Sequence, residues 1–284
     1  MKCKIEFKDG EYGTKAIIKG EWCDLFLKLL LKKEVVELEL NDGKGWYGNN
    51  IDFVKELTFL KSFTLIDLNI KSIKAVQYLK ELRKLKIITY SKDPINFNFF
   101  PYLIDCSFEW IRGSESIFEV TGLRNLFISS FKEKSSDNFS KLVHLKELSI
   151  LNSSIENING ITKLTNLKFL RLGLLRKLNT LQGIKYLNNL EHLEIQKCKR
   201  ISKICEIFSL INLRCLMLND IGYIESIKGI EKLKKLECFL FYESTNILDG
   251  DITPVLKLKN LRKIVFQNRR HYTHKMDYFQ SFNN

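Results

Sequence analysis

The sequence predicts an α/β repeat solenoid, a curved horseshoe with a parallel sheet on its concave face and short helical or 3₁₀ segments on its convex face. Three observations predict it. An apolar hexad recurs at a nearly constant period, a pair of apolar residues spaced by three follows it, and a Gly-Ile-x-x-Leu segment closes the unit.

The hexad has the form L-x-x-L-x-L. Its first apolar residue is Val35, Leu60, Leu82, Leu103, Leu123, Leu145, Leu167, Leu190, Leu213, Leu236 or Leu261, so copies start 20 to 25 residues apart. Alternation inside the hexad reads as a short strand whose side chains leave opposite faces. The spaced pairs are Ile155 and Ile158, Ile201 and Ile204, and Ile224 and Ile227; closing segments begin at Gly160, Gly183 and Gly229. These spacings fit a turn and then a helical or 3₁₀ stretch with its apolar side toward the strand. One such unit cannot bury its own leucines, whereas a stack of units shares one core.

This pattern resembles the leucine-rich-repeat family, and in particular the bacterial, internalin-like type with repeats of about 22 residues. The resemblance spans residues 35–268, as about eleven rungs. It departs from the family near Ser91–Phe100 and Lys132–Phe139, where the leucine spacing lapses. The asparagine usual after each strand is also inconsistent: Asn41 and Asn69 stand nearby, but Ser153 and Cys198 fill comparable places. Altered turns are expected there.

The ends read as caps, because an open solenoid end exposes its ladder. Residues 1–34 form the first: Cys3, Ile5 and Phe7, then Ala16 and Ile18, alternate around Gly10 and Gly13 as in a hairpin. Trp22 to Lys33 follows as an amphipathic helix over the first rung. Residues 269–284, opening Arg-Arg-His-Tyr-Thr-His-Lys, form a polar closing tail.

In a unit L1-x2-x3-L4-x5-L6-x7 the pleat turns x3, x5 and x7 outward onto the concave face, and equal positions align in columns. Column three contains Glu37, Asp105, Phe169, His192, Cys215 and Cys238; column five contains Glu39, Phe127, Arg171, Glu194, Met217 and Leu240; column seven contains Glu109 and Tyr242. With the next position along, these columns hold ten acids and five bases, a net −5 in a chain whose formal charge is +13. Aromatic groups and methionine in a polar field are what protein interfaces use. The candidate partner-binding residues are therefore Glu37, Glu39, Asp105, Glu109, Phe127, Phe169, Arg171, His192, Glu194, Met217, Leu240 and Tyr242. Reversing the charge of Glu37, Glu39, Asp105 and Glu109 is expected to slow association without unfolding the protein.

Other functions find little footing. Lysines such as Lys228, Lys232, Lys234 and Lys235 spread along the convex segments as a solvated face, and lack the stripe and interleaved aromatics of a nucleic-acid reader. His192, Cys215 and Cys238 share a column, but the outer two start about 10 Å apart, a strained span for a tetrahedral metal site. No P-loop, HExxH or GxSxG occurs, and no enzymatic activity, cofactor or metal is expected. The 28% of charged residues speaks against a membrane-embedded chain, and the N-terminus lacks an apolar signal segment. Seven scattered cysteines without a CxxC pair point to reduced thiols and a cytoplasmic location.

The expected function is a non-enzymatic protein-binding scaffold, monomeric when free. Its resemblance to free-standing leucine-rich-repeat immunity proteins implies neutralisation of a toxin domain, and an acidic face suits a basic toxin. The alternative is an effector or adaptor that engages a host or regulatory protein.

Overall fold

The computed structural model describes residues 4–282, which leaves Cys3 of the expected hairpin outside. The chain divides into two compact units, Met1–Phe127 and Ile128–Asn284.

In the first unit, β1 (Lys4–Asp9) and β2 (Thr14–Lys19) form an antiparallel hairpin, followed by α1 (Leu25–Lys32). Parallel strands β3 (Val35–Asn41), β4 (Ser62–Ile66), β5 (Lys84–Ile88) and β6 (Asp105–Glu109) come next, and β2 pairs directly with β3. Phe26 and Leu30 sit one helical turn apart, so both face inward and are buried, whereas Leu25 and Leu31 are exposed. Trp22, just before α1, stacks flat on Phe53 at 3.7 Å between ring centres. β7 (Asn125–Ser129) begins at the end of this unit.

The second unit carries parallel strands β8 (Glu147–Leu151), β9 (Phe169–Gly173), β10 (His192–Gln196) and β11 (Cys215–Asn219), then β12 (Tyr223–Ile224) and β13 (Cys238–Phe241), and finally β14 (Asn246–Ile247) and β15 (Lys263–Phe266). The main sheet runs β8, β9, β10, β11, β13, β15, and β12 pairs with β14 beside it. Returning segments in both units are 3₁₀ turns, such as Asp52–Glu56 and Cys205–Ser209. Inward positions bear the load: Leu148, Leu170, Leu193, Leu216 and Phe239 are register-aligned and wholly buried. Burying one such side chain contributes about 1.5–3 kcal/mol.

Two devices regularise the second unit. Asn166, Asn189, Asn212 and Asn260, each just before a strand, donate their side-chain amides to carbonyls one rung back at 2.7–2.9 Å. Lys235 stands in the equivalent place of its rung, and its ammonium bonds the Asn212 side-chain oxygen at 2.7 Å. Replacing Asn189 by Leu should cost about 1 kcal/mol in a urea titration, the net worth of one such bond. The first unit has Phe59, Glu81, Tyr102 and Gly122 at these positions and lacks the ladder.

The second device is the residue just past the strand. Ser130, Asn152, Leu174, Lys197 and Asp220 take left-handed backbone angles; the first four N–H groups reach the carbonyl that ends the next strand, and that of Asp220 reaches Tyr242, just past β13. Leucine carries a steric penalty there that asparagine largely avoids. Leu174→Asn should therefore raise stability by up to about 1 kcal/mol, read as a higher urea midpoint.

The altered turns occur where the leucine spacing lapses. Thr89 and Ser91 are buried there, and their hydroxyls donate to the Ile70 and Lys71 carbonyls at 2.9 Å. Cys198, in an asparagine-like place, directs its thiol to the Leu172 carbonyl at 3.6 Å. The tail expected to be polar sends aromatics inward: Tyr272 and Phe279 are buried, and Phe266 meets Phe279 edge to face. Its polar atoms bond back to the chain, with the Ile247 N–H donating to the Tyr272 hydroxyl and a His271 ring nitrogen 2.8 Å from the Ile247 carbonyl.

Candidate functional site

The register reproduces the expected columns in each unit. Column three runs Glu37, Ser62, Lys84, Asp105 in the first unit and Glu147, Phe169, His192, Cys215, Cys238, Lys263 in the second. What the columns expose differs between the units.

In the first unit the hairpin loop lies over the column. The Tyr12 N–H donates to the Glu37 carboxylate at 2.5 Å, and the Glu11 carboxylate takes the Lys84 ammonium at 3.0 Å. Gly10 passes so close that a Cβ there would sit 2.4 Å from a Glu37 oxygen. Burial pushes the Tyr12 hydroxyl up to about 12. Glu37 and Glu39 are thus 5% and 4% exposed, a correction to their expected place on an open face. For Glu37 the cause is the loop, which packs against residues distant in sequence.

Glu39 is held by Lys15 at 2.6 Å, Lys44 at 2.7 Å and the Asn41 amide at 3.0 Å. Burial alone would raise its pKa, but these three donors outweigh burial and hold it at about 2. Asp105 remains half-buried and pairs with Lys84 at 3.2 Å. Glu109 and Phe127 are half-buried as well. The acidic face foreseen in this unit is therefore largely neutralised from within, and the four-residue charge reversal cannot leave the fold untouched.

The second unit brings the remaining candidates together on β9, β10, β11 and β13. Phe169 stacks on His192 at 4.8 Å between ring centres. Arg171 bridges Glu194 at 3.2 Å and Gln196 at 3.4 Å. Burial lowers the His192 pKa, so the ring is neutral near pH 7. Met217, half-exposed, continues the neighbouring column of Arg171 and Glu194, and Tyr242 lies just past β13. Leu240 is the second correction: flanked by its register partners Met217 and Val265, it is only 8% exposed and belongs to the core. The patch is a stacked aromatic pair, a carboxylate–guanidinium bridge and a thioether on one rigid sheet. It offers packing area and few free charges.

Two further features escaped the sequence. A groove of about 530 Å³ opens in the first unit between Ile73, Pro94, Ile95, Phe99 and Phe100, where the 89–96 segment lacks regular structure. In the second unit Arg176, Lys197, Lys199 and Arg200 gather at the post-strand turns around a hollow of about 370 Å³, with Asp220 bound to Lys199 at 3.1 Å. The basic clusters Arg176-Lys177 and Lys197-Cys198-Lys199-Arg200 were the available signal. Among the described residues no group of three or more His, Cys, Asp or Glu side chains is placed to hold a metal ion. No helix among them is long and apolar enough to cross a membrane.

Leucine columns, parallel strands and 3₁₀ returns define a leucine-rich-repeat fold. Solved structures agree. An internalin from Listeria monocytogenes is 18% identical over 90% of this chain and 87% of its own, with a TM-score of 0.57. A TDR receptor matches 87% of this chain and 46% of its own at 18% identity and a TM-score of 0.64. The Arabidopsis receptor kinase HAESA ectodomain, solved with a peptide hormone ligand, matches 76% and 40% at 17% identity and 0.55. At these identities the likeness is one of fold. No protein-family model and no curated protein sequence matches the chain.

Proposed function

We propose that the protein is a non-enzymatic protein-binding scaffold that presents the outward face of β9, β10, β11 and β13 to a partner. The observation that carries this is the half-exposed cluster of the stacked register partners Phe169 and His192 with Met217, two residues along the neighbouring strand, and Tyr242 just past β13, set on a hydrogen-bonded sheet. A rigid aromatic patch binds at low entropic cost, because its side chains are already fixed. A protein of the same fold holding a peptide hormone lends general support.

The finer reading is an immunity-type protein of the cytoplasm that clasps a basic toxin domain. Exposed Glu147 and the Arg171-bridged Glu194 are the carboxylates that favour a basic partner on this face. Six described cysteines are free thiols, as a reducing compartment would keep them. With these two carboxylates steering, Glu147→Lys combined with Glu194→Gln should slow association several-fold at low salt and little at high salt, measured by surface plasmon resonance. Mixing the protein with a candidate toxin tests the immunity reading directly. Loss of toxin activity is expected, and full retention with every candidate encoded beside it would leave the effector or adaptor reading in its place.

A further inference from the structure

Cys215 opens β11 and Cys238 opens β13, and the two are register partners on neighbouring parallel strands. Their side chains therefore leave the same face of the sheet. Neighbouring strands lie about 4.8 Å apart, inside the roughly 4.4–6.8 Å Cα separation that a disulfide needs. Both residues are half-buried, so each remains open to a small reagent. Their column continues to His192 on one side and Lys263 on the other.

That order makes the two sulfurs unequal. Cys238 has Cys215 as its register partner on one side and Lys263 on the other. The neighbouring thiol and then the lysine lower the Cys238 pKa, while the same pairing and burial raise that of Cys215. The other described thiols of this unit lack such a partner: Cys198 is buried against carbonyls, and Cys205 is exposed on a 3₁₀ turn.

We propose that Cys215 and Cys238 form an oxidant-reactive dithiol on this sheet, a modification site for low-molecular-weight disulfides. The Cys238 thiolate attacks one sulfur of the reagent, forms a mixed disulfide and releases one reagent thiolate, which takes up a proton. Cys215 then loses its proton and attacks the Cys238 sulfur. The second reagent thiol leaves with that proton, and a Cys215–Cys238 disulfide remains. Two electrons pass to the reagent, and atoms balance at each step. The pair lies beside Glu194, Met217 and Leu240, so its oxidation state alters the partner-facing sheet. Only that consequence rests on the function proposed above; the thiol chemistry does not.

The test treats the full chain with oxidised glutathione at pH 7, quenches with acid, alkylates and maps the cysteines by mass spectrometry. Cys238 should react several-fold faster than Cys205, because the thiolate is the nucleophile. The wild-type protein should end as the Cys215–Cys238 disulfide, Cys215→Ser should trap glutathione on Cys238, and Cys238→Ser should leave Cys215 reduced. Faster modification of Cys205, with the pair still reduced, overturns the proposal. So does a Cys215→Ser protein that traps no glutathione. Urea titration of each variant separates these outcomes from loss of fold. Partner capture with reduced and oxidised protein is a separate readout, and its failure bears on the binding face alone.

Discussion

Glu39→Lys is expected to unfold the N-terminal rungs of the first unit. The wild-type carboxylate is nearly excluded from solvent and satisfies two ammonium groups, Lys15 and Lys44. A third ammonium in that place leaves three like charges crowded together. Removing one partner of a buried pair costs about 3–5 kcal/mol, and reversal costs at least the lower figure. Trp22, Trp46 and Trp110 all lie in the first unit, so tryptophan fluorescence in urea reads this loss directly. A fluorescence midpoint equal to wild type would mean that Glu39 is solvated after all.

The pH dependence has a definite sign. The Glu39 pKa is depressed in the folded state, from its ordinary 4.5 to about 2. Its contribution is present above pH 4.5 and is lost as pH falls toward 2. Glu39→Gln should be less stable than wild type at neutral pH, and the gap should narrow across that acid window. A gap that stays constant from pH 7 to pH 2 would assign the effect to packing.

Leu148→Ala is the second large effect. Leu148 opens the inward column of the second unit and is fully buried. Truncation removes transfer free energy and leaves a cavity between stacked rungs, a cost of roughly 2–5 kcal/mol. Far-UV circular dichroism in urea should show the midpoint falling accordingly. A change below about 0.5 kcal/mol, the range of exposed substitutions, would place this side chain outside the core.

Leucine periodicity made the fold legible because every rung repeats the same local solution. The strand positions, the register and the outward columns all follow from that one pattern. The site was legible only where repetition continues to govern it. Phe169, His192 and Met217 fall where the columns put them, since nothing but neighbouring rungs surrounds them. Glu37 does not stay open, because residues 10–12 of the hairpin loop, outside the repeat, lie over it, and Glu39 is closed in by Lys15, Lys44 and Asn41. No local pattern encodes which way a hairpin loop leans. Leu240 was misplaced for a related reason: alternation gives direction, while exposure depends on the bulk of Met217 and Val265 beside it. The asparagine ladder is written in the sequence as Asn166, Asn189, Asn212 and Asn260 ahead of their strands, but its role depends on carbonyls one rung away.

The central claim, that the outward sheet of the second unit binds a protein, is tested most directly by cross-linked capture from extract of the native cell. The baits are wild-type protein and a Phe169→Glu, Met217→Glu double variant of matched urea stability. One protein cross-linked to β9, β10, β11 or β13 in the wild type and lost with the variant is the predicted result. Equal capture of the same partners by both baits, or cross-links confined to the Arg176–Arg200 turns and to nucleic acid, would contradict it.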